Sequence, residues 1–261
     1  MFARDRLAHV DVCSGKISMR VRFRARISFE GNSKGNAMLE ICLPAGKKTP
    51  IEGVLFDNDG TLVDTRDLLL ESFRYATRTV LGHELPDEAY LKSVGTPLAD
   101  QMDGFARTPE ESAELLRVYR TYNRQIHDQM IKPFPGIAEA LDELSRANVK
   151  MGVVTSKLHD LAWHGLEITG LAKYFDFLIG PDDCPEHKPA PGPVLEGCRR
   201  MGLAPASCAY VGDSEFDIRA GNAAGTTTIA VLWGMASRAI LEGEHPDVVC
   251  RDTAGFVAMW R

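Results

Sequence analysis

The sequence is poor in the features that mark several large protein classes. No apolar run approaches the ~18–20 residues needed to cross a bilayer, so no membrane span is expected. The N-terminal residues lack the apolar core of a signal peptide. The six cysteines, Cys13, Cys42, Cys184, Cys198, Cys208 and Cys250, are scattered and form no CxxC pair. That spacing counts against a zinc site and against a disulfide scaffold. Each cysteine is expected to stay a small, reduced, buried side chain, as in a cytoplasmic protein. Basic excess is confined to the start. Residues 1–50 hold ten Lys/Arg against four Asp/Glu; with chain totals of 30 and 36, the remainder holds twenty against thirty-two. So acidic a body offers no broad basic face, and neither a nucleic-acid nor a membrane partner is expected. A small anionic substrate would need a local positive spot supplied by lysines, a metal or helix N-termini.

What is present fits an ordinary soluble globular protein. With 261 residues, 44% apolar and 25% charged, the chain can form one large or two small domains around a sizeable core. Residues 17–29 alternate strictly, with Ile17, Met19, Val21 and Phe23 opposite Arg20, Arg22, Arg24 and Arg26. The pattern is that of a strand with a basic face. Residues 1–48 can be read as an added edge strand, an Arg-rich targeting segment, or residues upstream of a start at Met38; a poorly ordered extension is expected. From Ile51 onward short apolar runs alternate with amphipathic stretches of helical length, at 136–147, 159–169, 193–201 and 216–223. Such alternation predicts a parallel sheet covered on both faces, with ligands at the carboxyl ends of its strands. About ninety residues separate the first strand from the second. That is far more than one crossover needs, and they read as helical. The expected division is therefore a core of residues 49–65 and 132–261 with a helical insert over 66–131, whose exit at 132–136 has the stiffness of a hinge.

Polar groups collect where these strands end. The first ends in Asp57-x-Asp59-Gly60-Thr61, the second in Thr155-Ser156-Lys157, the fourth in Gly212-Asp213-Ser214 with Asp217 beyond, and Lys188 lies between the third and the fourth. In a parallel sheet these ends share one edge. Asp57, Asp59 and Asp213 would repel one another unless a cation sat among them, and hard oxygen donors suit Mg²⁺. A phosphoryl group could then enter between metal and Lys188. Asp57 is placed to attack phosphorus, Thr155 to donate to a phosphoryl oxygen, and Asp59 to move the proton of the leaving oxygen and then of water.

The motifs "DNDGTLVD" (57–64), "VVTSK" (153–157), "KPAPGP" (188–193) and "GDSEFDIRAGNAAG" (212–225), in that order, resemble those of the haloacid dehalogenase-like superfamily. The resemblance covers roughly residues 51–255. It implies an α/β fold, a Rossmann-like parallel sheet core with an inserted α-helical cap domain, and Mg²⁺-dependent phosphatase activity. By motif position it makes Asp57 the nucleophile and Asp59 the acid/base. It gives Thr155, Ser156 and Lys188 to phosphate, and Asp57, Asp213 and the Asp59 backbone carbonyl to the metal. Asp217 would hold metal waters or outer contacts. "VGTPL" (94–98), "FPGI" and "AGTTTIAVLWG" look like phosphoglycolate phosphatases and the related pyrophosphatases. Two positions depart from the pattern: Asn58 sits where an apolar residue is common, and Gly192 where an aspartate is. The expected substrate is a small phosphorylated metabolite, phosphoglycolate before pyrophosphate and then a sugar phosphate, handled by a monomer or homodimer. Thr96, Arg74, Arg120 and Arg124 are candidates for setting specificity. A phosphomutase, a phosphonate hydrolase using Lys92, and a non-catalytic phosphate-binding regulator are the alternatives.

Overall fold

In the computed structural model the described residues are 48–92 and 94–260, preceded by the backbone of His9–Val12, Met19–Arg22, Arg26–Ser28 and Met38–Cys42; side chains are described from Ile51 onward. Among the described residues, six parallel strands make up most of an eight-stranded sheet: β1 (Gly53–Phe56), β2 (Lys150–Val154), β3 (Leu178–Ile179), β4 (Cys208–Gly212), β5 (Thr227–Val231) and β6 (Val248–Cys250). They lie side by side in the order β3-β2-β1-β4-β5-β6, every pair parallel. The order reverses at β1, so the chain leaves β1 and β4 with their carboxyl ends flanking one crevice. β1, β4, β5 and β6 are buried along their whole length, which is why they read as continuous apolar runs rather than alternating ones.

Among the described residues there are ten α-helices. They are α1 (Arg66–Leu81), α2 (Asp87–Leu91), α3 (Leu98–Phe105), α4 (Pro109–Met130), α5 (Ile137–Arg146), α6 (His159–Ile168), α7 (Gly192–Met201), α8 (Glu215–Ala224), α9 (Arg238–Gly243) and α10 (Thr253–Met259). Eight of them lie in the helical stretches and the insert read from the sequence, while α9 and α10 fall outside that reading. One face of the sheet packs on Ile137, Leu141 and Leu144 of α5 and on Phe256 of α10. The other packs on Val194, Cys198 and Met201 of α7 and on Ala220 and Ala224 of α8. Phe56, the last residue of β1, meets Phe175 and Phe256 edge-on at 5.9 and 6.1 Å. This packing fixes the strand end from which the next residue, Asp57, projects.

The insert between β1 and α5 is α1–α4. Its own apolar cluster centres on Phe73, which stacks on Tyr90 at 5.4 Å and leans on Tyr119 at 4.9 Å. α4 begins as its sequence suggests, with Thr108 accepting from the Glu111 N–H and Pro109 in the first turn. The chain enters and leaves the insert through a two-stranded antiparallel neck in which Val63 faces Pro133 and Asp64 faces Lys132. The stiff exit at 132–136 thus begins in a paired strand.

Before the core, His9–Val12 pairs antiparallel with β6 and with Met19–Arg22, while Arg26–Ser28, Met38–Cys42 and Lys48–Ile51 form a separate antiparallel sheet. The single strand expected over 17–29 is therefore represented by two short strands in different sheets. The expectation of poor order over 1–48 falls mostly outside the described residues. Among the described residues Cys184, Cys198, Cys208 and Cys250 are free, and no helix is long and apolar enough to cross a membrane.

Removing the ring that braces β1 tests this packing. Phe256→Ala is expected to lower the unfolding free energy by about 3–5 kcal/mol in urea titrations. A loss below about 1 kcal/mol would mean that the aromatic brace carries little of the core.

Candidate active site

Lys188 reaches the carboxyl edge of the sheet from the loop before α7 and lies buried there. Its ammonium sits 2.8 Å from Asp57 Oδ1 and 2.6 Å from Asp217 Oδ1. Asp57 continues β1, and its N–H donates to the Val211 carbonyl of β4 at 2.9 Å. Asp217 lies in the first turn of α8. Its other oxygen accepts from the Ser214 N–H and hydroxyl in a capping box, and Tyr210 donates to Asp217 Oδ1 at 3.0 Å. Asp213 ends β4 and is held from two sides: Thr61 donates to Oδ1 at 3.1 Å, and the Met235 N–H to Oδ2 at 2.8 Å. The backbone crowds it there. A Cβ on Gly60 or Gly234 would come within 2.2 Å of its carboxylate, and Gly60 also has φ +85°. Only glycine meets both demands at position 60.

Oxygens of Asp57, Asp213 and Asp217 all lie within 4.8 Å of one another. One ammonium against three buried carboxylates leaves the cluster short of positive charge. Burial pushes the Asp57 carboxyl well above its usual range; Lys188 pulls it back, while Asp217 and Asp213 push further. Burial and Asp217 push Asp213 up to about 7, against the donors Met235 and Thr61. Burial opposes the charge on Lys188, but Asp217 and Asp57 outweigh it and hold the ammonium protonated. The donor set is all oxygen, converging and under-neutralised, which fits a hard divalent cation such as Mg²⁺.

Asp59 stands beside this cluster. Its Oδ1 is 3.1 Å from the ammonium of Lys157, and both side chains are largely buried. Thr155 accepts from the Lys157 N–H at 3.2 Å, leaving its own hydroxyl proton to donate. Ser156 reaches toward the insert. Its hydroxyl gives its proton to the Gly95 carbonyl of the insert at 2.5 Å, so in this arrangement that hydroxyl ties insert to core. Asn58 is buried, and its backbone carbonyl accepts from Leu62 and Val63 in the turn after β1. Its side-chain oxygen has no hydrogen-bond partner among the described residues. Gly192 receives a carboxylate from elsewhere: Glu186 accepts its N–H at 3.0 Å at the start of α7.

A cavity of about 700 Å³ lies over these groups, between core and insert. Asp57, Asp59, Thr155, Lys188 and Asp213 line its floor, and Lys92, Thr96, Arg120 and Arg124 line it from the insert. Arg74, the remaining specificity candidate, does not line it; its guanidinium is paired with Asp87 at 2.7 Å. Sequence reasoning assigned no role to Lys157. The available signal was a lysine directly after the Thr-Ser pair of a strand end.

A Rossmann-like sheet with carboxylates and lysines at its carboxyl edge, under a helical insert, defines a class of hydrolases. A family model for haloacid dehalogenase-like hydrolases matches residues 54–231. The pyrophosphatase PpaX of Bacillus velezensis is 34% identical over 197 residues, 76% of this chain and 90% of that protein. Among solved structures, a predicted phosphoglycolate phosphatase from Haemophilus somnus is 24% identical at a TM-score of 0.75, covering 81% of this chain and 98% of its own. A β-phosphoglucomutase from Clostridium difficile is 21% identical at a TM-score of 0.67, covering 78% and 92%. At those identities the two structures speak for the fold alone. The chain belongs to the haloacid dehalogenase-like hydrolases.

Lys188→Met would leave Asp57 and Asp217 as buried carboxylates with no cation. It is expected to cost about 3–5 kcal/mol of stability in urea titrations at neutral pH. A variant as stable as the parent would show that the ammonium is not what holds these side chains together.

Proposed function

We propose that this chain hydrolyses a small phosphate-bearing metabolite through an aspartyl-phosphate intermediate, with Mg²⁺ as cofactor. One observation carries the reading. Asp57 is buried, held at one oxygen by Lys188, and opens onto the same cavity as Asp59, Thr155 and Asp213. Asp57, Asp213 and the Asp59 backbone carbonyl would hold the cation, whose charge would face the phosphoryl oxygens when bound.

The residues divide the work as follows. A carboxylate oxygen of Asp57 bonds to phosphorus while the bond from phosphorus to the leaving oxygen breaks. Asp59 gives that oxygen a proton. It then takes one from the water that attacks phosphorus, releasing inorganic phosphate and restoring Asp57. Lys188 spends two of its three N–H donors on Asp57 and Asp217, so the third remains for a phosphoryl oxygen. Thr155 supplies another donor. Lys157 holds Asp59 before substrate arrives. An incoming phosphoryl anion competes for that ammonium, and the freed Asp59 carboxylate takes up from solvent the proton that it then gives to the leaving oxygen. Residues 66–131 serve as the cap over a core of 49–65 and 132–261. Closure excludes water during transfer, and opening through the paired neck admits it afterwards.

The substrate carries a second anionic group beside the phosphoryl. Lys92, Arg120 and Arg124 line the cap side of the cavity, and none is in an ion pair among the described residues. Pyrophosphate now stands before phosphoglycolate, because the relative at 34% identity is a pyrophosphatase, whereas the phosphoglycolate phosphatase likeness is one of fold.

Two measurements test this. Protein stripped with EDTA is expected to be inactive toward every phosphorylated compound in a metabolite panel and to recover with added Mg²⁺; turnover that persists in EDTA contradicts the cofactor. Arg120→Ala and Arg124→Ala should each lower kcat/KM for pyrophosphate by about 10–100-fold, the worth of a hydrogen bond to a charged group, with little change for p-nitrophenyl phosphate. Equal losses on both substrates would remove these arginines from substrate selection.

A further inference from the structure

A second set of ligand-type side chains lies at the junction of cap and core. His127 and Asp128 are in the last turn of α4, and His164 is in the middle of α6. Asp128 Oδ1 is 3.0 Å from His127 Nδ1 and 3.1 Å from His164 Nε2, and its Oδ2 is 3.2 Å from the same His164 nitrogen. The three donor atoms lie within 4.8 Å of one another. The imidazoles face each other with centroids 6.0 Å apart and planes 24° from parallel. His127 is only 1% exposed, whereas Asp128 and His164 are open to solvent. Gly165 makes the approach of the two helices tight: a Cβ there would come 3.3 Å from His127 Cε1.

This geometry suits a metal ion as well as it suits hydrogen bonds. Ligand atoms around a four-coordinate zinc, at bonds of ~2.0–2.1 Å, lie about 3.3 Å apart. The two nitrogen-to-oxygen gaps here, 3.0 and 3.1 Å, need to open only slightly to match. Two imidazoles and one carboxylate select a borderline cation over Mg²⁺. The exposed side leaves a fourth position for water. The scattered cysteines speak against a thiolate zinc site, but they say nothing about an imidazole–carboxylate one.

We propose that His127, Asp128 and His164 form a binding site for a borderline divalent cation of the Zn²⁺ type, which staples the last cap helix to the core. Two ligands come from α4, whose Arg120 and Arg124 line the cavity, and the third comes from α6, which begins two residues after Lys157. An ion there ties together two elements that must separate if the cap opens. Binding itself is independent of the phosphatase reading; the slowing of turnover rests on it.

The experiment uses the full chain in saturating Mg²⁺, so that hard-cation sites are filled, and titrates Zn²⁺ against a chromophoric chelator. The wild type is expected to bind one more Zn²⁺ than His164→Ala, with affinity about tenfold or more lower in Asp128→Asn, and to melt at a higher temperature when loaded. Co²⁺ in place of Zn²⁺ should give the strong visible absorption of a tetrahedral site in the wild type and lose it in His164→Ala. Equal Zn²⁺ binding by the wild type and both variants overturns the site. Should Zn²⁺ bind as expected, turnover by the wild type must fall while that of His164→Ala does not; equal rates overturn the staple. A chain that binds Zn²⁺ here but hydrolyses no phosphorylated compound would sink the proposed function and leave the site standing.

Discussion

The buried ammonium of Lys188 is the contact on which the arrangement turns. It lies between Asp57 and Asp217, and it reaches them from a third segment, the loop before α7. A lysine in so dry a place stays charged because Asp217 and Asp57 face it, and its ammonium in turn pulls back part of the rise that burial imposes on the Asp57 carboxyl. The three groups therefore fix one another. Through them the end of β1, the first turn of α8 and the α7 loop converge on one point of the sheet edge. Sheet order brings these segments near; the ion contacts set side-chain geometry within that neighbourhood.

The same contact leaves a deficit, because Asp213 has donors but no cation of its own. Its two partners, the Thr61 hydroxyl and the Met235 N–H, lower the cost of its charge without cancelling it. Asp59 differs from the other acids because Lys157 neutralises it separately. The site thus holds a tight, charge-poor cluster beside one locally balanced pair. In the proposed function the cluster would take a divalent cation, and the pair is the part that an arriving anion would disturb. Ser156 and Gly95 add a hydrogen bond between insert and core beside the cavity.

Much of this was legible in the sequence. Continuous apolar runs gave the buried parallel strands, and the long interval after Phe56 gave the helical insert, because both follow from local pattern and length. The motif residues proved adjacent because Asp57 and Asp213 directly follow strand ends, Asp217 lies in the first helical turn after β4, and the loop between β3 and α7 returns Lys188 to the same sheet edge. Partner choice was harder to read. That Asp217 would grip Lys188 and cap its own helix, that Lys157 would take Asp59, and that Ser156 would turn to the cap are decisions among side chains within a few ångströms of one another. Periodicity carries no information at that scale. The arginines of α4 were ambiguous for the same reason: Arg120 and Arg124 line the cavity, while Arg74 is spent on Asp87. In the alternating stretch over 17–29 the described residues Met19–Arg22 and Arg26–Ser28 are strands, as the period of two indicates, but they belong to different sheets, which periodicity does not encode.

The central claim is that Asp57 itself takes the phosphoryl group and that Asp59 is needed to let it go. Incubating Asp59→Asn with p-nitrophenyl phosphate, whose leaving group needs no proton, tests both halves at once. Acid quenching and peptide mapping should find phosphate retained on the peptide that contains Asp57, with one equivalent of nitrophenol released per chain and little further turnover. Steady turnover without any phosphorylated peptide, or phosphate on a different residue, would contradict the account.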